Sequence, residues 1–202
     1  MNTFNILDFG AVADAVTNNA KSIQKAIDAA SSCNGTVIVP RGEFLSGTLV
    51  LKSNIDLHLE KGAVLISSLN EEDILDFAKL FEDDNACTGW DGGCFLFACH
   101  EKNITISGEG TIYGQGDKVF FDDNADGGYH ECPLNVAAFR PRTTFFEDVE
   151  NLTVRDITFK DAAFWTLHMA GCKDVSVLDI KILNDVRGAN NDGIDPDCCK
   201  DV

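Results

Sequence analysis

The chain has 202 residues, 45% of them hydrophobic and 24% charged, a balance that suits one globular domain with a sizeable core. Its formal net charge of −17 argues against a sequence-independent nucleic-acid binder or a protein drawn to acidic membranes, because both need clustered Lys and Arg against phosphate. Basic groups that recognise any polyanionic ligand must therefore be local or lie outside the chain.

Met1 leads directly into Asn2-Thr3-Phe4-Asn5, with no basic region followed by an apolar segment, and no stretch approaches the length of a transmembrane helix. As written the chain reads as cytoplasmic, and as secreted only if the true N-terminus lies upstream. Its eight cysteines form no Cys-x-x-Cys pair and no zinc spacing, and read as buried thiols. His58, His100 and His130 show no ligand spacing either, so no metal and no cofactor is assigned.

In chain order, Phe4 to Gly10 reads as an apolar opening strand. Thr17-Asn18-Asn19 offers capping side chains to a helix over residues 17–30 that carries Ile23, Ala26, Ile27 and Ala30 on one face. After the turn signal Asn34-Gly35, short β-rich runs follow, Thr36-Val37-Ile38-Val39 and Gly47-Thr48-Leu49-Val50-Leu51 among them. From there on the chain is strand-like.

The dominant pattern is Asn or Asp, then an aliphatic residue, then alternating polar and apolar positions. It opens segments at Asn54, Asn103, Asn151, Asp174 and Asp201. The intervals from Asn54 to Asn103 and from Asn103 to Asn151 are close to twice that from Asn151 to Asp174, which suggests one coil with a disguised start inside each. Cys172-Lys173-Asp174-Val175 recurs as Cys199-Lys200-Asp201-Val202. A unit of roughly 25 residues with several short strands and no helix predicts an all-β solenoid, a parallel β-helix, with Cys172 and Cys199 on equivalent rungs. Acidic, Gly-rich stretches near 69–93 and 117–135 read as loops inserted between coils.

Asn190-Asn191-Asp192-Gly193-Ile194-Asp195 stands out chemically. It sets two carboxylates three residues apart around a Gly free to adopt an unusual backbone conformation, although Asn-Asp-Gly is also an ordinary turn. This block, with Phe164-Trp165-Thr166-Leu167-His168 before it and Gly108-Glu109-Gly110-Thr111-Ile112-Tyr113-Gly114-Gln115-Gly116 earlier, resembles the polygalacturonase family of glycoside hydrolases, family 28. Weaker matches at Phe9 to Asp14 and Gly62 to Leu65 extend the resemblance over nearly the whole chain.

The resemblance implies a right-handed single-stranded parallel β-helix of the pectin-lyase-like kind, one incomplete domain whose helix caps the N-terminal end and whose C-terminal coils lie beyond residue 202. It implies metal-free, inverting cleavage of galacturonan-type bonds in a pectic polysaccharide or oligogalacturonide, by a monomer when complete. Asp192 matches the aspartate that helps polarise the attacking water. Asn190 matches the Asn of the family's Asn-Thr-Asp motif, Asn191 stands where Thr is usual, and Asp195 matches a supporting aspartate. The family's general acid belongs to an adjacent Asp pair about one coil later, followed by Gly-His-Gly and Arg-x-Lys, and none of these follows Asp195. Asp83-Asp84 and Asp122-Asp123 precede the motif and read as loop residues. His168 and Trp165, with Trp90, are candidates for the border of a sugar cleft. A β-eliminating lyase on a similar solenoid and a non-catalytic carbohydrate-binding solenoid are the alternative readings.

Overall fold

The computed structural model describes residues 2–75, 93–122, 134–136 and 139–202. Strand β1 (Thr3–Asn5), a 3-10 turn (Ile6–Phe9) and helix α1 (Ala20–Ser31) precede five coils. The first coil holds β2 (Thr36–Val39), β3 (Gly42–Ser46) and β4 (Leu49–Val50). The second holds β5 (Ile55–Leu59), β6 (Ala63–Ser67) and β7 (Cys94–Cys99). The third has β8 (Lys102–Ser107) and β9 (Thr111–Tyr113), then the short helix α2 (Gly116–Val119) and the strands β10 (Phe120–Phe121) and β11 (Asn135–Val136), and ends with β12 (Arg142–Glu147). The fourth comprises β13 (Glu150–Arg155), β14 (Thr158–Lys160) and β15 (Leu167–Ala170), and the fifth β16 (Lys173–Leu178), β17 (Lys181–Leu183) and β18 (Ile194–Asp197).

Equivalent strands of successive coils pair in parallel. They build three sheets, ordered β1-β2-β5-β8-β13-β16, β3-β6-β9-β14-β17 and β4-β7-β12-β15-β18, while β10 and β11 form a separate antiparallel pair. This is a right-handed parallel β-helix. The alternation read from sequence turns one side chain in two inward, where coils stack like on like: Val37, Leu57, Ile106, Val154 and Val177 form one column. Phe44, Leu65, Ile112, Phe159 and Ile182 form another in the second sheet. Burying each such side chain is worth roughly 1.5–3 kcal/mol, so the columns are the principal stabilising element.

The recurring Asn or Asp has a conformational cause. Asn54, Asn103, Asn151, Asp174 and Asp201 all sit at the corner leading into the first sheet with φ between 54° and 64°. Asn and Asp enter this left-handed region more readily than other residues with a Cβ. The asparagines also bond along the axis: Asn103 Nδ2 donates to Asn54 Oδ1 at 2.8 Å, and Asn151 Nδ2 to Asn103 Oδ1 at 2.9 Å.

The register changes how the intervals are read. Ile104 pairs with Ile55 on one side and Leu152 on the other, so the two long intervals, from Asn54 to Asn103 and from Asn103 to Asn151, each hold one coil, with no disguised second one. The extra length lies in one connection. The turns from the first sheet to the second, and from the third to the next first, are short in every coil, as at 60–62 and 100–101. The connections from the second sheet to the third run over 47–48, 68–93, 114–141, 161–166 and 184–193 in successive coils. All long connections therefore leave from one edge of the solenoid.

Lys173 bridges to Lys200 in parallel, which sets Cys172 and Cys199 on neighbouring coils, both as free thiols. The expectation of uniformly buried cysteines does not hold. Of the six described, Cys94 and Cys172 are buried, whereas Cys33 follows the end of α1 and Cys198 occupies a left-handed corner (φ 54°), both exposed.

Helix α1 buries the four expected residues, Ile23, Ala26, Ile27 and Ala30, in the same core as the first coil. It begins at Ala20 and not at Thr17, because the preceding side chains are otherwise engaged. Asp14 accepts the Val16 and Thr17 amides, and the buried Asn19 side chain binds Val12, Thr17 and Leu45 backbone groups. Asn18 Oδ1 accepts the Ala20 amide and that of Gly47, joining the helix start to the first coil.

The ladder at Asn103 provides a test of what fixes the corner. Asn103→Ala loses two side-chain hydrogen bonds and forces a Cβ residue without local compensation to stay left-handed, a cost of about 2 kcal/mol. Asn103→Gly loses the same bonds but removes the conformational strain. Urea unfolding is expected to show the Ala variant with the lower midpoint; equal midpoints would show that backbone conformation does not select Asn there.

Candidate active site

The third sheet and the connection entering it bring the expected residues together. In register, Phe97 lies beside Phe145, Phe145 beside His168, and His168 beside Asp195. Phe97 and Phe145 are 6.2 Å apart between ring centroids and belong to a cluster outside the main core. The His168 ring lies 4.8 Å from Phe145 and meets the half-buried Trp165 edge-on at 4.7 Å; Phe164 stacks on Trp165 at 5.4 Å. Trp90 and His130, the Asp83-Asp84 pair and Asp123 lie outside the described residues. Asp122 is a loop residue, 2.6 Å from Arg187.

Asp192 lies in the connection over 184–193, just before β18, and is exposed. Its position is set through the backbone: the Thr166 amide donates to its carbonyl at 3.0 Å, and the Leu167 amide to that of Gly193 at 3.1 Å. Asn184 braces the same connection, donating to Thr166 Oγ1 and to the Asn191 carbonyl, both at 2.8 Å, and accepting the Ala162 amide. Asn191 uses its own amide group to reach the Asp185 carbonyl at 2.7 Å. The unusual backbone conformation belongs to Asn190 (φ 56°), not to Gly193, whose φ is not in the left-handed region. What Gly193 supplies is room, since a Cβ there would lie 3.3 Å from Ile182 Cδ1.

Two arginines missed in the sequence reading complete the group. Arg142, 2% exposed, faces Phe164 at 5.0 Å and Trp165 at 5.4 Å. Arg140 lies 4.6 Å from the Phe164 ring and reaches the other connection, where Nη1 donates to the Ala189 carbonyl at 2.5 Å and Nη2 to Asn190 Oδ1 at 3.0 Å. The signal available was Arg140-Pro141-Arg142 itself, two cations around a proline in a chain with 33 acidic residues. Beside this group a cavity of about 250 Å³ is bordered by Phe120, Phe121, Asp122, Asp185, Arg187 and Asn191.

Burial pushes the titratable groups of the sheet column toward neutrality. His168 is pushed down to about 4, chiefly by burial and then by the Arg142 charge, against a smaller opposing effect of Asp197. Asp195 is held above the usual carboxylate range by burial and by the neighbouring Asp192 carboxylate. Its buried Oδ2 meets no hydrogen-bond donor among the described residues. Elsewhere, His58 Nδ1 bonds to Ser107 Oγ at 2.8 Å and His100 Nδ1 lies 3.4 Å from Asp148. Among the described residues no three His, Cys, Asp or Glu side chains converge as metal ligands would.

Stacked parallel coils with carboxylates and aromatic rings at one edge define the chain as a parallel β-helix protein. A sequence model of the glycosyl hydrolases family 28 matches residues 31–202, and the chain belongs to that family. It is 28% identical over 204 residues to a probable polygalacturonase of Vitis vinifera, covering 96% of this chain and 39% of that one. The hyperthermoactive exopolygalacturonase from Thermotoga maritima superimposes with a TM-score of 0.76 at 25% identity, over 98% of this chain and 50% of that one. PfbA, a surface adhesin of Streptococcus pneumoniae, does so with a TM-score of 0.64 at 27% identity, over 90% of this chain and 39% of that one. The chain spans about two fifths of the length of the Vitis vinifera relative and of an exopolygalacturonase of Zea mays that it also matches.

The His168 environment has a consequence for stability. With a folded value near 4 and an ordinary value of 6.5, the unfolded chain takes up a proton that the native imidazole refuses between those limits. The native state therefore keeps this contribution above pH 6.5 and loses it as pH falls toward 4, by on the order of 3 kcal/mol. Asp195, raised in the fold, works in the opposite sense at the acid end. His168→Phe retains an aromatic ring without the titration, so its unfolding midpoint is expected to fall less than that of the wild type between pH 7 and pH 4.5. Parallel curves would show that His168 is not held neutral.

Proposed function

We propose that the chain carries the water-activating side of a pectin-directed glycosidase that hydrolyses galacturonan-type bonds with inversion. The observation that supports this most is the placing of Asp192: exposed, fixed by its backbone to the neighbouring coil, and next to the aromatic strip at the edge from which the long connections leave. An inverting hydrolase needs a carboxylate behind the water and a protonated acid on the leaving oxygen, roughly 6.5–9.5 Å apart. In this reading Asp192 polarises the water. Asp195 supports it by holding a proton more readily than an ordinary carboxyl, which limits charge repulsion between the two. Asn190 and Asn191 fix the connection, Trp165 borders the sugar, and the buried His168 supports the Trp165 ring edge-on in place of the sugar contact expected of it.

The pectic substrate is inferred from the relatives, which are polygalacturonases by name. Protonation of the leaving group has no donor assigned within the 202 residues, since no adjacent aspartate pair follows Asp195. The chain alone is accordingly expected to release no product.

Reducing-sugar release from polygalacturonate distinguishes the possibilities, with three proteins compared: the chain itself, a form extended to the length of its relatives, and that form carrying Asp192→Asn. The extended protein is expected to hydrolyse the polymer, and the substitution to lower its rate by about 10²–10⁴-fold. Turnover by the unextended chain would overturn the assignment of the acid to residues beyond it. Full activity in the Asp192→Asn protein would remove Asp192 from the mechanism, and affinity without turnover in the extended protein would make this a binding solenoid.

A further inference from the structure

The repeated Cys-Lys-Asp-Val quartet sets two thiols on one rung. Lys173 bridges Lys200 in parallel, with the Lys200 amide donating to the Cys172 carbonyl at 2.8 Å and the Asp174 amide to that of Lys200 at 3.1 Å, so Cys172 faces Cys199 one coil on. Val149 precedes them in the same column, since Glu150 pairs with Lys173 and the Lys173 amide donates to the Val149 carbonyl. Both sulfurs turn the same way. Cys172 Sγ donates to the Phe146 carbonyl at 3.3 Å and Cys199 Sγ to the Met169 carbonyl at 3.4 Å, and Phe146 and Met169 are themselves partners in register. Cys172 is fully buried and Cys199 half-buried.

As a small apolar residue, either cysteine alone would suit a column that already holds Val149. Two in succession add chemistry. Equivalent residues of adjacent coils lie roughly 4.8 Å apart, inside the window of about 4.4–6.8 Å between Cα atoms that a disulfide spans. Burial pushes the Cys172 thiol up to about 12, and the Cys199 thiol in contact with it acts in the same direction. The half-buried Cys199 is therefore the sulfur that meets a reagent first, and Cys172 the one that resolves the product. The loop that the pair would close, from 172 to 199, contains the whole connection over 184–193 and with it Asp192.

We infer that Cys172 and Cys199 are a redox pair, which a small disulfide oxidises to a bond that staples the fifth coil to the fourth around the Asp192 connection. The Cys199 thiolate attacks one sulfur of a reagent such as oxidised glutathione, expelling one thiolate and leaving a mixed disulfide. Cys172 then gives up its proton and attacks Cys199 Sγ, expelling the second thiolate. The protein loses two electrons and two protons, and the reagent takes them up as two thiols. A reducing dithiol reverses both steps. The inference is independent of the pectic reading, since it requires only the register of the two coils.

The test treats the chain with oxidised glutathione, alkylates the remaining thiols after unfolding, and maps the peptides by mass. Cys33→Ser and Cys198→Asn remove the two exposed thiols beforehand, Asn being suited to the left-handed corner at 198. A bond between Cys172 and Cys199 is expected, with a urea midpoint raised by about 1 M and restored by dithiothreitol. Slower amide exchange over 184–193 should accompany it. Cys172→Val, which extends the residue type of Val149, and Cys199→Ala should each abolish the bond and the shift. Should Cys172→Val fail to fold, Cys199→Ala decides alone. Full alkylation of both cysteines, a mixed disulfide at Cys199 that never closes, or a bond to any other cysteine would overturn the inference and leave the two as apolar fillers of the column. A bond that lowers the midpoint would overturn it as well, because the native register would then not be the one that the bond fits.

Discussion

Stacking in register is the constraint from which the rest follows. Successive coils lie roughly 4.8 Å apart, so every residue sits directly over its equivalent, and a choice made in one coil is imposed on the next. Inside, this demands columns that are apolar throughout. At the corner before the first sheet it demands residues at ease with positive φ, and Asn54, Asn103 and Asn151 meet that demand while bonding to one another. Outside, it governs charge. Glu150 lies in register between Lys102 and Lys173, with Lys173 Nζ 3.3 Å from its carboxylate, so opposite signs stack there. Such exposed pairs contribute little energy each, but like charges at the same spacing would oppose the stack.

The same rule organises the site. Phe145, His168 and Asp195 form one column because they share a register, and burial then moves the two titratable members toward their uncharged forms, the imidazole downward and the carboxyl upward. The sheet thereby supplies a low-charge floor. Asp192, reached through a connection and exposed to solvent, carries the carboxylate above it. The separation of roles comes from position: strand residues are fixed by stacking, and connection residues are held by a few specific bonds such as those of Asn184 and Arg140.

Much of this was legible in the sequence because stacking writes itself as repetition. The Asn or Asp starts, the alternation after them and the duplicated Cys-Lys-Asp-Val quartet led to the parallel β-helix, and Asp192 was singled out as a candidate from the motif around it. The coil count was not legible, because the interval from Asn54 to Asn103 reads the same whether it holds two coils or one coil and a long connection. Only the pairing of Ile55 with Ile104 separates the two. Arg140 was missed for a related reason: its partner Asn190 is distant in the chain, joined to it across two connections that share no repeat. The left-handed residue of the motif was misplaced at Gly193 because glycine permits that conformation, whereas here Asn190 adopts it.

That the connections over 68–93 and 114–141 share one edge with those over 47–48, 161–166 and 184–193 has an entropic consequence. Closing a flexible loop costs about (3/2)RT times the logarithm of its length, so making the Asp192 connection as long as the one over 114–141 would add only about 1 kcal/mol. An insertion at either short corner would instead displace the strands that follow from their partners and forfeit a whole row of buried contacts. Length can thus be gained or lost at this edge almost freely while the cross-section of the solenoid stays fixed. The edge that carries the Asp192 connection is therefore the part of the molecule on which variation in length is thermodynamically cheapest, and it can change without the scaffold having to be refolded around it.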